Sequence, residues 1–192
     1  MSKRIGVLAL QGDFREHIAA YTRLGVEVIE VKTLKALESI DALVIPGGES
    51  TTIGKLANIF GLFEPIKGAI KDGLPVFGTC AGLIMLADRI EDGIDGQQTF
   101  GGLDVSVQRN AFGNQLDSFE MDLTIRGIDH PVHAAFIRAP IITDPGSAEV
   151  LSTLADGRVV AVRQGNLLGI SFHPEVTGDD SVHKLFLTEF VK

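Results

Sequence analysis

The residues best suited to chemistry are Cys80 and the pair His173 and Glu175. Cys80 lies in Gly78-Thr79-Cys80-Ala81-Gly82, with a glycine two positions before it and another two after. That spacing is the pattern of a nucleophile elbow, a sharp turn that lifts a reactive side chain between a strand and a helix. Glycine suits both flanks because such a turn brings backbone segments too close for a Cβ. A thiol at the start of a helix also meets the positive end of the helix dipole, which favours the thiolate. The chemistry would be attack on a carbonyl carbon, and it requires a base and a group that orients the base. His173 follows the apolar run Leu168-Gly169-Ile170-Ser171-Phe172, which places it at a strand's carboxyl end, where open α/β sheets build their sites. Pro174 moves His173 away from helical geometry. In an extended chain, Glu175 would then share its face and could orient the ring. The bland alternatives are a buried structural cysteine and a loop His-Pro beside a solvated glutamate. Two motifs that complete one another outweigh both.

Other residues fit chemistry less well. The loop Pro46-Gly47-Gly48-Glu49-Ser50-Thr51-Thr52, followed by Gly54-Lys55-Leu56, approaches a phosphate-binding loop. Five residues separate Gly48 from Gly54 where four are required, and Leu56 stands where a magnesium-binding hydroxyl should be, so a nucleotide site is rejected. The paired glycines can instead present backbone N–H groups to an oxyanion. His130 and His133 have no third ligand nearby, and no metal site is expected. His17 and His183 are expected to face solvent on their helices, and Asp13 with Glu16 to cap the helix that begins at Phe14.

The elements that must position these groups follow from hydrophobic pattern. Arg4–Leu10, Asp41–Ile45 and Pro75–Thr79 read as buried strands, and Val26–Val31 as a strand nearer the sheet edge. Helices are expected over Phe14–Leu24, Leu34–Ser39, the segment carrying Ile53, Leu56, Ala57 and Phe60, and from Ala81 onward. Strands alternating with helices predict a parallel sheet with helices on both faces. Beyond Arg89 the texture changes to a polar excursion over Glu91–Gly102 and then to strand-like pieces. These are Leu103–Gln108, Phe119–Ile125, Ala134–Ile137, Glu149–Ala155, Arg158–Arg163 and Leu167–Phe172, with Asp156-Gly157 as a hairpin signal. Antiparallel additions are therefore expected in the second half, without a linker. A closing helix carries Val182, Leu185, Phe186 and Phe190. The whole reads as a single domain over residues 1–192.

With 45% hydrophobic and 22% charged residues, the composition is that of an ordinary globular protein. The formal net charge of −8 argues against nucleic acid or an anionic membrane as partner. One cysteine cannot form an internal disulfide, and no apolar run reaches membrane-spanning length, so a cytoplasmic location is expected.

Cys80 with its flanking glycines, together with His173-Pro174-Glu175, resembles the Cys-His-Glu triad of class I glutamine amidotransferases. Four further stretches are similar to the glutaminase subunits of pyridoxal 5′-phosphate synthases. They are Leu10-Gln11-Gly12-Asp13-Phe14-Arg15-Glu16-His17, Pro46–Thr52, Arg109-Asn110-Ala111-Phe112-Gly113 and Phe136-Ile137-Arg138-Ala139-Pro140. The resemblance implies a three-layer α/β sandwich and hydrolysis of L-glutamine to L-glutamate and ammonia through a thioester on Cys80. It implies that Gly48, Glu49 and Ser50 contact glutamine, with Arg109, Ile137 and Arg138 closing the site. Gly47, Gly48 and Ala81 would form the oxyanion hole, and Gln11 would lie near the contact with a synthase subunit that accepts the ammonia. No cofactor or metal is implied. The readings weighed against it are a glutaminase subunit of another pathway, such as purine synthesis, and a related cysteine-elbow hydrolase or inactive regulatory subunit.

Overall fold

The computed structural model describes residues 3–109, 111 and 118–192. Most of the Arg109–Gly113 motif lies outside the described residues, apart from Arg109 and Ala111. Among the described residues the strands are β1 (Arg4–Leu8), β2 (Glu27–Val31), β3 (Ala42–Ile45), β4 (Val76–Thr79), β5 (Ala87–Ile90), β6 (Leu103–Gln108), β7 (Ser118–Leu123), β8 (Val132–Ile137), β9 (Ile141–Asp144), β10 (Glu149–Thr153), β11 (Val159–Gln164) and β12 (Leu167–Ile170). The helices are α1 (Phe14–Arg23), α2 (Leu34–Leu37), α3 (Ser50–Ile59), α4 (Phe63–Lys71), α5 (Ala81–Leu86), α6 (Pro174–Thr177) and α7 (Ser181–Glu189).

The main sheet runs β2-β1-β3-β4-β12-β11-β9-β6-β5, with β10 paired to β11, while β7 and β8 form a separate antiparallel hairpin. The pairs from β2 through β12 are all parallel. From β12 to β11, β9 and β6 the pairing is antiparallel. β12 is thus the seam between two styles of sheet. The chain leaves β1 to one side for β2 and returns on the other side for β3, which makes the carboxyl ends of β1 and β3 a switch point of the kind that opens a ligand cleft.

Alternation within the strands divides the core. Leu43, Ile45 and Val76 face a layer built from α2, α3, α4 and α5, whereas Ile5, Val7, Ala42, Val44 and Phe77 face α1, α7 and the β7–β8 hairpin. Both faces are covered, so the central strands are apolar throughout. The elbow glycines are explained by close approach of backbone. A Cβ on Gly82 would lie 2.0 Å from the Ile45 carbonyl oxygen, and one on Gly78 would lie 2.5 Å from the carbonyl oxygen of Gly82. Helix α5 therefore rests directly on the sheet, which fixes where its first residue stands.

Some elements were not expected. The apolar run from Ala81 hides a break, because Ala87 turns extended (φ −65°, ψ 138°) and the chain enters β5 where continued helix was predicted. α4 and β9 were also missed. The capping reading of Asp13 is corrected: its side chain caps nothing in α1. His17 and His183, expected in solvent, are both fully buried. Each lies on the inward face of its helix, with Ala20 and Tyr21 beside His17, and Leu185 and Phe186 beside His183.

Candidate active site

Cys80 follows β4 directly and has φ 51° and ψ −104°, a conformation uncommon for any residue but glycine. Surrounding structure enforces it: the Cys80 N–H donates to the Ile170 carbonyl at 2.8 Å, which ties the elbow to β12. Ile84 N–H in turn donates to the Cys80 carbonyl at 3.2 Å as α5 begins. The strain sits at the one residue that would do chemistry, where it aims the sulfur out of the sheet.

His173 arrives from the neighbouring strand and is anchored by its own N–H, which donates to the Ala135 carbonyl on β8 at 2.8 Å. Its Nδ1 is 2.7 Å from Glu175 Oε1, and the ring and the Cys80 side chain line the same cavity. Glu175 reaches His173 by a route other than the extended one expected. Pro174 takes the first position of α6, where its missing N–H costs nothing, and the helical turn swings Glu175 back beneath the ring. Burial alone would lower His173, but its interactions with the Cys80 sulfur and the Glu175 carboxylate prevail and push it up to about 10. Burial pushes Glu175 above the usual carboxylate range, partly offset by His173. The arrangement holds an imidazolium between a sulfur and a carboxylate, which is what a thiol nucleophile needs.

These groups open into a cavity of about 440 Å³ lined by Gln11, Gly12, Asp13, Gly48, Glu49, Ser50, Cys80, Ala81, Ile84, Arg109, Ile137, Arg138 and His173. The structure thus brings the expected residues to one cleft, with Gly47 and Glu175 just behind its wall. A Cβ on Gly47 would lie 2.3 Å from His173 Cε1, so only glycine fits between that loop and the ring. The Gly47 carbonyl accepts the Asp13 N–H at 3.0 Å, and Gln11 Oε1 accepts the Glu49 N–H at 2.8 Å. Ala81, first in α5, carries an N–H at the helix start beside the sulfur. The Ile137 carbonyl is 4.0 Å from Cys80 Sγ, and Arg138, at φ 44°, is the other described non-glycine residue with positive φ.

A second group of residues is gathered around Arg109. One guanidinium nitrogen is 3.0 Å from Glu49 Oε1 and another is 3.0 Å from Gln97 Oε1. Gln97 also donates to Ser50 Oγ at 3.0 Å. Partial burial would raise Glu49, but hydrogen bonds from Thr51 and Thr52 outweigh it and hold the carboxylate low. Glu49 is charged and offers an acceptor to a cation, while Arg109 offers a fork to a carboxylate, so the pair suits the two charged ends of an amino acid. Gln97 was missed because it lies in the stretch read as a polar surface excursion. No periodic signal marks such a residue.

Asp13, His173 and Glu175 place ligand atoms within 4.8 Å of one another. Nδ1 of His173 and Oε1 of Glu175 are already engaged with each other at 2.7 Å. Asp13 Oδ2 lies 3.4 Å from His173 Nδ1, and its carboxyl is raised by burial, with His173 opposing. No helix among the described residues is long and apolar enough to cross a membrane.

Comparison with known proteins agrees with this geometry. The profile of the SNO glutamine amidotransferase family matches residues 7–192. The pyridoxal 5′-phosphate synthase subunit PdxT of a Nocardioides species is 59% identical over 188 residues, covering 95% of this chain and 94% of that protein. The PdxT of a Mycobacterium species is 53% identical over 186 residues, covering 95% and 90%. A crystal structure of a glutamine amidotransferase superposes with a TM-score of 0.89 at 50% identity, covering 95% of this chain and 96% of that one. The expected α/β sandwich of the class I glutamine amidotransferases is therefore the fold observed.

Proposed function

The chain belongs to the SNO glutamine amidotransferase family, and on that premise we propose how its cleft hydrolyses L-glutamine to L-glutamate and ammonia for pyridoxal 5′-phosphate synthesis. The observation that carries the proposal is the placement of Cys80 beside a His173 that is held by Glu175 at 2.7 Å, inside a cleft that also presents Glu49 and Arg109.

His173 holds the proton that leaves Cys80, and the thiolate attacks the side-chain amide carbon of glutamine. The C–S bond forms as the carbonyl π pair moves to oxygen. Backbone N–H groups around Gly47 and Gly48, with that of Ala81, meet the resulting oxyanion. Collapse of this intermediate breaks the C–N bond, and His173 delivers its proton to the departing ammonia. Water then attacks the γ-glutamyl thioester with His173 as base, which releases glutamate and restores the thiol. Glu175 keeps the ring in the required orientation throughout. Gly48, Glu49 and Ser50 hold glutamine from one side, and Arg109, Ile137 and Arg138 close over it from the other, with an arginine fork suited to the α-carboxylate. Residues 1–192 act as one glutaminase domain, since both cores flank a single sheet.

Ammonia released into water becomes ammonium and is lost as a nucleophile, so the product passes directly to a synthase subunit. Gln11, whose amide oxygen already holds Glu49, lies where docking can be felt by the Gly47-Gly48 peptide. Docking sets that peptide as an oxyanion donor. The setting is cytoplasmic, where a lone thiol stays reduced.

The test is glutamate release from glutamine by the chain alone, with the synthase subunit, and as Cys80→Ala. Strong activation by the synthase subunit, abolished in the variant, is expected. Full turnover by the isolated chain would remove the docking step, and activity that survives Cys80→Ala would remove the mechanism.

A further inference from the structure

Behind the triad lies a buried pair of imidazoles that the mechanism above does not use. His17 on α1 and His183 on α7 are both fully buried, and His17 Nδ1 is 2.9 Å from His183 Nε2. The other nitrogen of His17, Nε2, is 3.1 Å from Thr79 Oγ1 and 3.6 Å from Glu175 Oε1. Thr79 is the residue before the nucleophile, and Oε1 is the atom that holds His173. His17 therefore touches one member of the elbow and faces the carboxylate of the triad.

Hydrogen-bond accounting fixes the tautomers. His183 Nδ1 is buried with no hydrogen-bond partner among the described residues. A buried N–H left without an acceptor costs more than a lone pair left without a donor, so the proton of His183 belongs on Nε2. Nε2–H then donates to His17 Nδ1, and the proton of His17 must sit on its own Nε2, aimed at Thr79 and Glu175. At 3.6 Å the carboxylate is beyond a hydrogen bond but well within reach of the N–H dipole in a dry interior. Both rings are kept neutral by burial, which is the first cause for each; His183 and His173 add to it for His17.

We propose that His17 is a positioning residue of the triad: its Nε2–H, oriented by His183, steadies Thr79 at the elbow and the charged form of Glu175, and so helps His173 to keep the proton taken from Cys80. The groups that share this environment are Asp13 and Glu16 at the start of α1, Cys80 at the elbow and Glu175 on α6. Asp179, Asp180 and Arg23 surround His183. Asp13, half-exposed, has Oδ2 3.4 Å from His173 Nδ1, and no variant below alters it.

Because Cys80 is the only thiol of this chain, the pH midpoint of its alkylation by iodoacetamide, read from the mass of this subunit after the complex is separated, reports on the Cys80–His173 pair without reference to glutamine. The assay uses the complex with the synthase subunit and compares His17→Asn, whose amide matches Nδ1 and keeps the link to His183, with His17→Gln, whose amide can replace the Nε2 donor. In His17→Asn the alkylation midpoint should rise by about half a unit or more, and kcat for glutamine hydrolysis should fall about tenfold with KM changed by less than about twofold. His17→Gln should recover a substantial part of both. Equal losses in the two variants with an unmoved alkylation midpoint would reduce His17 to a packing residue and overturn the proposal, as would wild-type behaviour of His17→Asn. Thr79→Val, which keeps shape and removes the hydroxyl, should shift the midpoint in the same direction; should His17→Asn fail to fold, an unshifted Thr79→Val overturns the proposal by itself. The inference rests on the glutaminase reading only for its kcat arm. A shifted alkylation midpoint in a protein without glutaminase activity would sink that reading and leave this one standing.

Discussion

The two halves of the sheet hold the cleft in different ways. In the parallel half, Cys80 and His173 leave adjacent strands, β4 and β12, whose register sets Thr79 against Ile170. Each is fixed by its own backbone N–H, at 2.8 Å to Ile170 and to Ala135 respectively. In the antiparallel half and its hairpin, Arg109 follows β6, Ile137 ends β8 and Arg138 follows it. The Arg109 guanidinium is held by the side chains of Glu49 and Gln97, and the Arg109 N–H donates to a carboxylate, that of Asp92, and not to a strand. Backbone ladders do not rearrange when a small molecule binds, whereas side-chain bonds exchange partners readily. The reacting atoms are therefore built into the framework, and the substrate-facing atoms are held by contacts that glutamine can replace.

That contrast can be broken most severely at the sulfur. Cys80→Ala should lower glutamate release by about a thousandfold or more, since the covalent route disappears, while the melting temperature stays near that of the wild type. A framework lesion comes next: Gly82→Ala forces a methyl against the Ile45 carbonyl and should cost about 3 kcal/mol in a urea denaturation series, with activity lost in step with folding. Acid should act on the same framework. Burial lowers His183 to about 4 from 6.5. The unfolded chain therefore binds the extra proton in that window, and stability should fall as pH drops through it. The full effect is roughly 3 kcal/mol, and the slope should flatten in His183→Phe. Glu175, raised by burial, titrates in the opposite sense, so the difference between the two proteins is the quantity to measure. The smallest effect belongs to the antiparallel side. Arg109→Ala should raise KM for glutamine about tenfold with kcat within about threefold, because it removes a contact made equally before and during the reaction.

The same division explains what was legible in the sequence. Continuous apolar runs gave the parallel strands, and the glycines around Cys80 gave the elbow, since both reflect constraints that act within a few residues. His173 was legible as the end of a strand, although its link to Glu175 runs through a helical turn begun by Pro174 and not through extended chain. His17 and His183 were misread as solvated because a polar residue beside an apolar stripe gives no sign of its partner. Their pairing joins α1 to α7 across 166 positions of sequence. Gln97 was invisible for a related reason: its role comes from meeting Ser50 and Arg109 in space, inside a stretch with no periodicity. β5 was lost because Met85-Leu86-Ala87, where helix becomes strand, contains no turn residue to mark the change.

The most direct test of the central claim is covalent labelling of the complex with the synthase subunit by a chloromethyl ketone analogue of glutamine, followed by peptide mass analysis. One equivalent of label on Cys80, slowed by added glutamine and slowed further by Glu175→Gln, is the predicted result. Label that lands elsewhere, or that reaches Cys80 at a rate glutamine does not change, would contradict the assignment of this cleft.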